Sequence, residues 1–113
     1  MTDCIFCDIG KGETETRLLF QDDRCFVIRD INPSAPTHLL VIPKQHLTSL
    51  TNTDPGYESL LGHLLTVAEA MARQEKVTSS GFRLAVNQGQ DAGQHVPHLH
   101  LHVLGGKPLP ALG

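Results

Sequence analysis

Tryptophan is absent from the chain, tyrosine occurs once and phenylalanine four times. Stacking platforms for single-stranded nucleic acid need clustered aromatics, and a groove that tracks phosphates needs surplus positive charge. The chain has neither: nine lysines and arginines stand against twelve aspartates and glutamates, a net charge of −3, with no long basic run. A nucleic-acid groove is therefore excluded, while a mononucleotide ligand remains compatible. No apolar run approaches the length of a membrane span, and Met1-Thr-Asp-Cys-Ile-Phe-Cys7 lacks a basic segment followed by an apolar stretch. A cytoplasmic protein with no membrane partner is expected. Three cysteines without a secretion signal do not suggest a disulfide framework, which leaves metal binding or burial. Repeats, low-complexity segments and linkers are also missing. Residues 1–113 read as a single domain, long enough to bury roughly two thirds of its unfolded surface.

What is present falls into short apolar runs around one long helix. Arg17–Gln21 and Arg24–Arg29 read as a hairpin turning at Asp22-Asp23, and His38–Pro43 is a third strand stopped by a proline. Cys25, inside the second strand, reads as a buried, inert thiol. Asp54-Pro55 opens a helix to about Lys76, whose Leu60, Leu61, Leu64, Leu65, Ala68, Met71 and Ala72 form one apolar stripe for a sheet face. His63 flanks that stripe and is assigned no catalytic part. Phe82–Asn87 is a fourth strand, Gln88 to Gln94 a glycine-containing loop, and the tail from about Lys107 is irregular. The expected fold is α+β: an antiparallel sheet of about five strands with one long helix. Such a sheet leaves an edge to cover, so a homodimer is expected.

The remaining strand is the most informative segment. In Pro97-His-Leu-His-Leu-His-Val-Leu104, histidine occupies every second position. Successive side chains of a strand point to opposite faces, so His98, His100 and His102 share one face while Leu99, Leu101 and Val103 share the other. That face is expected to be a site rather than a core, because imidazoles titrate near neutral pH, attack phosphorus and bind metals.

The run His98-Leu-His-Leu-His-Val-Leu104 resembles the signature of the histidine triad (HIT) superfamily of nucleotide hydrolases and transferases. With Gly105-Gly106 after it, and Ala35-Pro-Thr-His38 and Asp91-Ala-Gly-Gln94 before it, the chain is similar to the Hint branch, the purine nucleoside phosphoramidate hydrolases. The likeness extends from about Cys4 to Gly106.

That resemblance implies a hydrolase that cleaves a P–N or related bond at the α-phosphate of a purine nucleotide, such as AMP or an AMP conjugate. His100 takes the position of the nucleophile, which suits an imidazole because its phosphorus adduct is itself labile. His102 takes the position that contacts the α-phosphate, and His38 that of a supporting histidine, although on its own a strand-initiating His38 reads equally as a hydrogen-bonded cap. Asp30 matches a carboxylate that accepts from both ribose hydroxyls, beside its plain reading as a turn residue before Asn32-Pro33. Ile31 would cover the base, and Asn87 would bind near ribose and phosphate. Gly93, Gln94 and His95 would offer backbone N–H groups to phosphate oxygens.

Two departures from the branch stand out. His95 occupies a position where a hydroxyl residue commonly helps protonate the leaving group, and the tail lacks the tryptophan of some members. Cys4 and Cys7 form a Cys-x-x-Cys pair, which by itself is compatible with zinc or with packing. In related HIT proteins a structural zinc is completed by positions matching His46 and His98, and no catalytic metal is implied. The alternatives are a dinucleoside polyphosphate hydrolase of the same superfamily, a zinc hydrolase using the three histidines as ligands, and a nucleotide-binding interaction protein with little turnover.

Overall fold

The computed structural model of the protein describes residues 3–50 and 54–112. Met1, Thr2, 51–53 and Gly113, which belong to the expected single domain, lie outside the described residues. Five strands, β1 (Phe20–Gln21), β2 (Cys25–Arg29), β3 (Thr37–Pro43), β4 (Phe82–Ala85) and β5 (Leu101–Gly105), form one antiparallel sheet in the order β1-β2-β3-β5-β4. The expected α+β architecture is present. Among the described residues no helix is long and apolar enough to cross a membrane.

The sheet has two different faces because its strands alternate. Cys25, Val27, Leu39, Val41, Leu101 and Val103 point to the face covered by α2 (Glu58–Gln74) and pack against Leu60, Leu64, Val67, Ala68, Met71 and Ala72. Phe26, Ile28, Leu40 and Ile42 point to the other face. The helix begins later than the sequence suggests, because Pro55–Tyr57 form a single 3-10 turn, capped by Asp54 Oδ1 accepting from the Gly56 N–H at 2.8 Å. It stops at Gln74, and Lys76 adopts a left-handed conformation with φ of 62°.

Three expectations need correction. β1 is two residues long rather than five, and β4 ends at Ala85 rather than Asn87. The histidine strand starts at Leu101, not His98, because the amide of Leu99 donates to the Leu47 carbonyl (2.6 Å) and that of His98 to Val96 (2.8 Å) instead of to a neighbouring strand. A further difference is a short helix, α1 (Ile5–Gly10), where only a Cys-x-x-Cys pair was seen. Cys4 caps it, its sulfur accepting from the Cys7 amide at 3.5 Å.

α1 lies across the second face with Phe6 and Ile9 buried against Phe26, Ile28, Leu40 and Ile42. Its close seating depends on Gly10: a Cβ there would stand 2.9 Å from the Phe26 ring. Gly106 has a comparable role after the triad, with φ of +92° and the Pro36 ring 3.0 Å from where a Cβ would be. The turn between β1 and β2 is held by Asp22, whose Oδ1 accepts from the amides of Arg24 and Cys25 at 2.8 Å each.

Candidate active site

The second face of the sheet opens into a cavity of about 730 Å³. β3 and β5 contribute Leu40, His38 and His102, β2 contributes Ile28 and Arg29, α1 contributes Ile5, Phe6 and Ile9, and Thr16, the loop after β2 and the segment between β4 and β5 supply the rest. Of the residues singled out in the sequence, His38, His95, His100, His102, Asp30, Ile31, Asn87 and Gly93 all line this cavity. Gln94, Cys4, Cys7, His46 and His98 are not among its lining residues.

The three triad histidines do not act as one row. Alternation holds, but His98 is fully buried and His100 is 8% exposed, so two thirds of the expected open face lies under α1. The Phe6 ring meets both edge-on, at 5.7 Å from His98 and 5.1 Å from His100 between centroids. Only His102 is partly exposed.

Hydrogen bonds assign a tautomer to each ring. His100 Nδ1 lies 2.7 Å from the His98 carbonyl, which can only accept, so Nδ1 carries the proton and Nε2 of the neutral ring keeps its lone pair. His38 Nδ1 accepts from the Ser34 amide at 3.0 Å, so its proton sits on Nε2. That N–H faces two acceptors, His102 Nδ1 at 2.9 Å and Asp30 Oδ2 at 3.4 Å. His102 therefore holds its own proton on Nε2. Burial, followed by the His100 and His38 rings, pushes His102 down to about 4, while Asp30 pulls the other way. At neutral pH it is a neutral donor.

Asp30 serves both readings offered by the sequence. Oδ1 accepts from the Asn32 amide at 2.8 Å and closes a turn, while Oδ2 turns toward His38. Ile31, next to it, is 91% exposed on the cavity rim. The loop after β4 departs from expectation. The Gly93 amide donates to Gln90 (3.0 Å) and the Gln94 amide to Gly89 (3.1 Å), so these two N–H groups are spent inside the loop and do not form the expected anion cradle. Gln94 is a brace: its Oε1 accepts from the Gly89 amide, and its Nε2 donates to the Thr48 and Val96 carbonyls. Asn87 Nδ2 donates to Ala92 at 2.6 Å. His95 is exposed at the cavity mouth.

Cys4, Cys7, His46 and His98 converge at the N-terminus of α1, with their donor atoms all within 4.8 Å of one another. Cys4 Sγ is 3.2 Å from His98 Nδ1, and Cys7 Sγ is 3.2 Å from His46 Nδ1. His98 Nε2–H donates to the Pro43 carbonyl at 2.8 Å, which turns the Nδ1 lone pair toward the sulfurs. Two thiols and two imidazoles, one already oriented by a backbone carbonyl, fit a tetrahedral zinc ion. The triad rings themselves do not converge on a common point: His98 belongs to the cysteine cluster, and His102 groups with His38 and Asp30.

Sequence reasoning missed Phe6, Ile5 and Ile9 as cavity walls. The only signal was the apolar pattern Ile5-Phe6 and Ile9 behind Cys4, too short for a period to stand out.

A family model described as the HIT domain matches residues 11–109. The chain belongs to the HIT domain family. Over 105 residues, 93% of this chain and 88% of the other, it is 40% identical to a protein of Escherichia coli named purine nucleoside phosphoramidase. The fold matches that of a HIT family hydrolase from Legionella pneumophila with a TM-score of 0.93 and 39% identity, covering 96% of each chain. A zinc-bound histidine triad family protein from Mycobacterium smegmatis matches with a TM-score of 0.80 and 33% identity, over 93% of this chain and 76% of that one.

The lowered His102 makes stability pH-dependent with a definite sign. Above its ordinary value of 6.5 the neutral ring costs nothing; between 6.5 and about 4 the unfolded chain takes up a proton that the folded one refuses. Stability therefore falls as pH drops through that window. His102→Gln is expected to lose on the order of 2 kcal/mol less than the wild type between pH 6.5 and 4 in urea titrations. Equal losses would show that His102 is not held neutral.

Proposed function

We propose that this HIT domain is a hydrolase that cleaves a phosphoramidate P–N bond at the α-phosphate of a purine nucleotide, through a nucleotidyl-His100 intermediate. The observation that carries this reading is the His100 Nδ1–H bond to the backbone carbonyl of His98, which leaves an unprotonated Nε2 on a ring that lines the cavity. In the first step Nε2 attacks phosphorus, the P–N bond breaks, and the leaving amine takes a proton from His95 at the mouth. In the second, water attacks the adduct and gives its proton back to His95, the His100–phosphorus bond breaks, and the nucleoside monophosphate leaves with His100 restored. His102 Nε2–H donates to a phosphate oxygen, and His38 fixes its orientation. Asp30 accepts from the ribose, Ile31 covers the base, and Asn87 and the Gly93-Gln94-His95 loop shape the phosphate end. The name of the Escherichia coli relative supports the purine phosphoramidate as substrate.

His100→Ala is expected to reduce turnover of adenosine phosphoramidate by at least about a thousandfold while AMP still binds, a loss confined to the transition state. Rapid acid-free quench with α-phosphate label should trap an adduct on the wild type. His95→Ala should slow poor amine leaving groups and spare good ones. Labelling of His100→Ala, or uniform slowing by His95→Ala, would overturn the respective assignment.

We also propose that Cys4, Cys7, His46 and His98 hold a structural zinc. Bound there, zinc would supply cross-linking rather than catalysis, because four protein ligands leave no coordination position for water. This arrangement disfavours the zinc-hydrolase alternative. Elemental analysis should find about one equivalent per chain, and Cys4→Ala should lower the thermal midpoint more than it lowers the single-turnover rate. Metal below about a tenth of an equivalent would make the tetrad a packing cluster.

A homodimer completes the proposal. β4 ends the sheet, and Leu65 on α2 is half exposed beside Leu61, so an edge and a helix flank both call for cover. Light scattering should give about twice the 12.3 kDa chain mass; a monomer at micromolar concentration would refute it.

A further inference from the structure

On the opposite face of the sheet, remote from the cavity, Asp22, Cys25 and His63 bring one carboxylate, one thiol and one imidazole to within 4.8 Å of one another. We propose that these three residues form a second metal site, one for a borderline or soft divalent cation of the zinc, cobalt or cadmium type.

The three donors come from the turn between β1 and β2, from β2 and from α2. Asp22 Oδ1 is fixed by the amides of Arg24 and Cys25, which turns Oδ2 to His63 Nε2 at 2.7 Å. Cys25 begins β2, and its side chain is fully buried among the residues facing α2. His63 descends from α2 onto the turn. The thiol is thus the floor of the site, while Asp22 and His63, with side chains 26% and 22% exposed, form a mouth through which an ion and its water can pass.

The donor chemistry selects the ion. One thiolate, one imidazole and one carboxylate, with a water in the fourth position, is a ligand set that zinc and cobalt accept; calcium and magnesium require oxygen donors. The carboxylate is already ionised: burial would raise Asp22, but the Arg24 amide, His63 and the Cys25 amide hold it at about 2. The thiol is not, since burial and then the Asp22 charge push Cys25 up to about 12. Binding therefore exchanges the Sγ proton, released to solvent, for the cation, and His63 gives up the Nε2 proton that bonds Asp22 Oδ2, holding one on Nδ1 instead, so that the Nε2 lone pair faces the ion. No electron is transferred. The cost of that proton makes this site weaker than the four-donor cluster at α1.

Titration of cobalt(II) chloride into the metal-free full-length chain, reduced and at pH 8, tests the assignment. Two equivalents are expected for the wild type, and the second should add thiolate-to-cobalt charge-transfer absorbance of about half the intensity of the first, one thiolate against two. His63→Ala, a change at a partly exposed helix position, should weaken that one equivalent at least tenfold and leave the other intact. Cys7→Ser should do the reverse. His63→Gln, which retains the packing volume, covers the case in which alanine unfolds the chain. A single equivalent that Cys7→Ser removes and His63→Ala spares overturns the proposal. So does a second equivalent without thiolate absorbance.

Discussion

His98 is the residue on which the rest of the molecule is aligned. Its imidazole is fully buried, and a buried polar ring is tolerated only when its nitrogens are satisfied. Nε2–H satisfies itself on the last carbonyl of β3, at Pro43, and this fixes Nδ1 toward Cys4 and Cys7 at the start of α1. The same residue's backbone carbonyl accepts from His100 Nδ1. One position thereby seats the N-terminal helix on the sheet and sets the tautomer of the neighbouring ring. Truncating His98 would disturb α1, the cavity wall formed by Phe6, and the lone pair of His100 together. Effects of substitutions in this group will not add independently.

The sheet separates two kinds of chemistry that would interfere if mixed. Toward α2 the alternate residues are aliphatic, and van der Waals packing dominates. Toward α1 the same strands present histidines among aromatic and aliphatic neighbours. Among the described residues no buried side-chain nitrogen or oxygen lacks a hydrogen-bond partner, so the polar face is a satisfied network and not a defect in the core. Desolvation and the neighbouring rings hold His98 and His102 toward the neutral form, which suits hydrogen bonding between fixed tautomers better than charge storage.

Much of this was legible in the sequence, for local reasons. A period of two survives any tertiary arrangement, so the partition of His98, His100 and His102 from Leu99, Leu101 and Val103 was correct even though half the segment lies outside β5. The long helix carried its own period, and Asp54 marked the turn that leads into it. What stayed hidden depended on partners distant along the chain. α1 is too short to advertise itself, and its cover of His98 and His100 joins residues more than ninety positions apart. The Leu99 amide could not be known to choose Leu47 over a strand partner. His63, read as a flank residue, meets Asp22 across 41 positions, a pairing that no pattern announces. The Gly93-Gln94 segment was misjudged because glycine signals a turn without saying which carbonyls will consume its amides.

That last point has a consequence for how a ligand is received. With the Gly93 and Gln94 amides closed on their own loop and the Gln94 side chain bridging to Thr48, the conformational entropy of ordering this segment is borne when the chain folds. An entering ligand meets a mouth already shaped, and little of its interaction energy is diverted to organising the protein. Association should then be governed by encounter and desolvation, and the residence time of the product by the few contacts made to it.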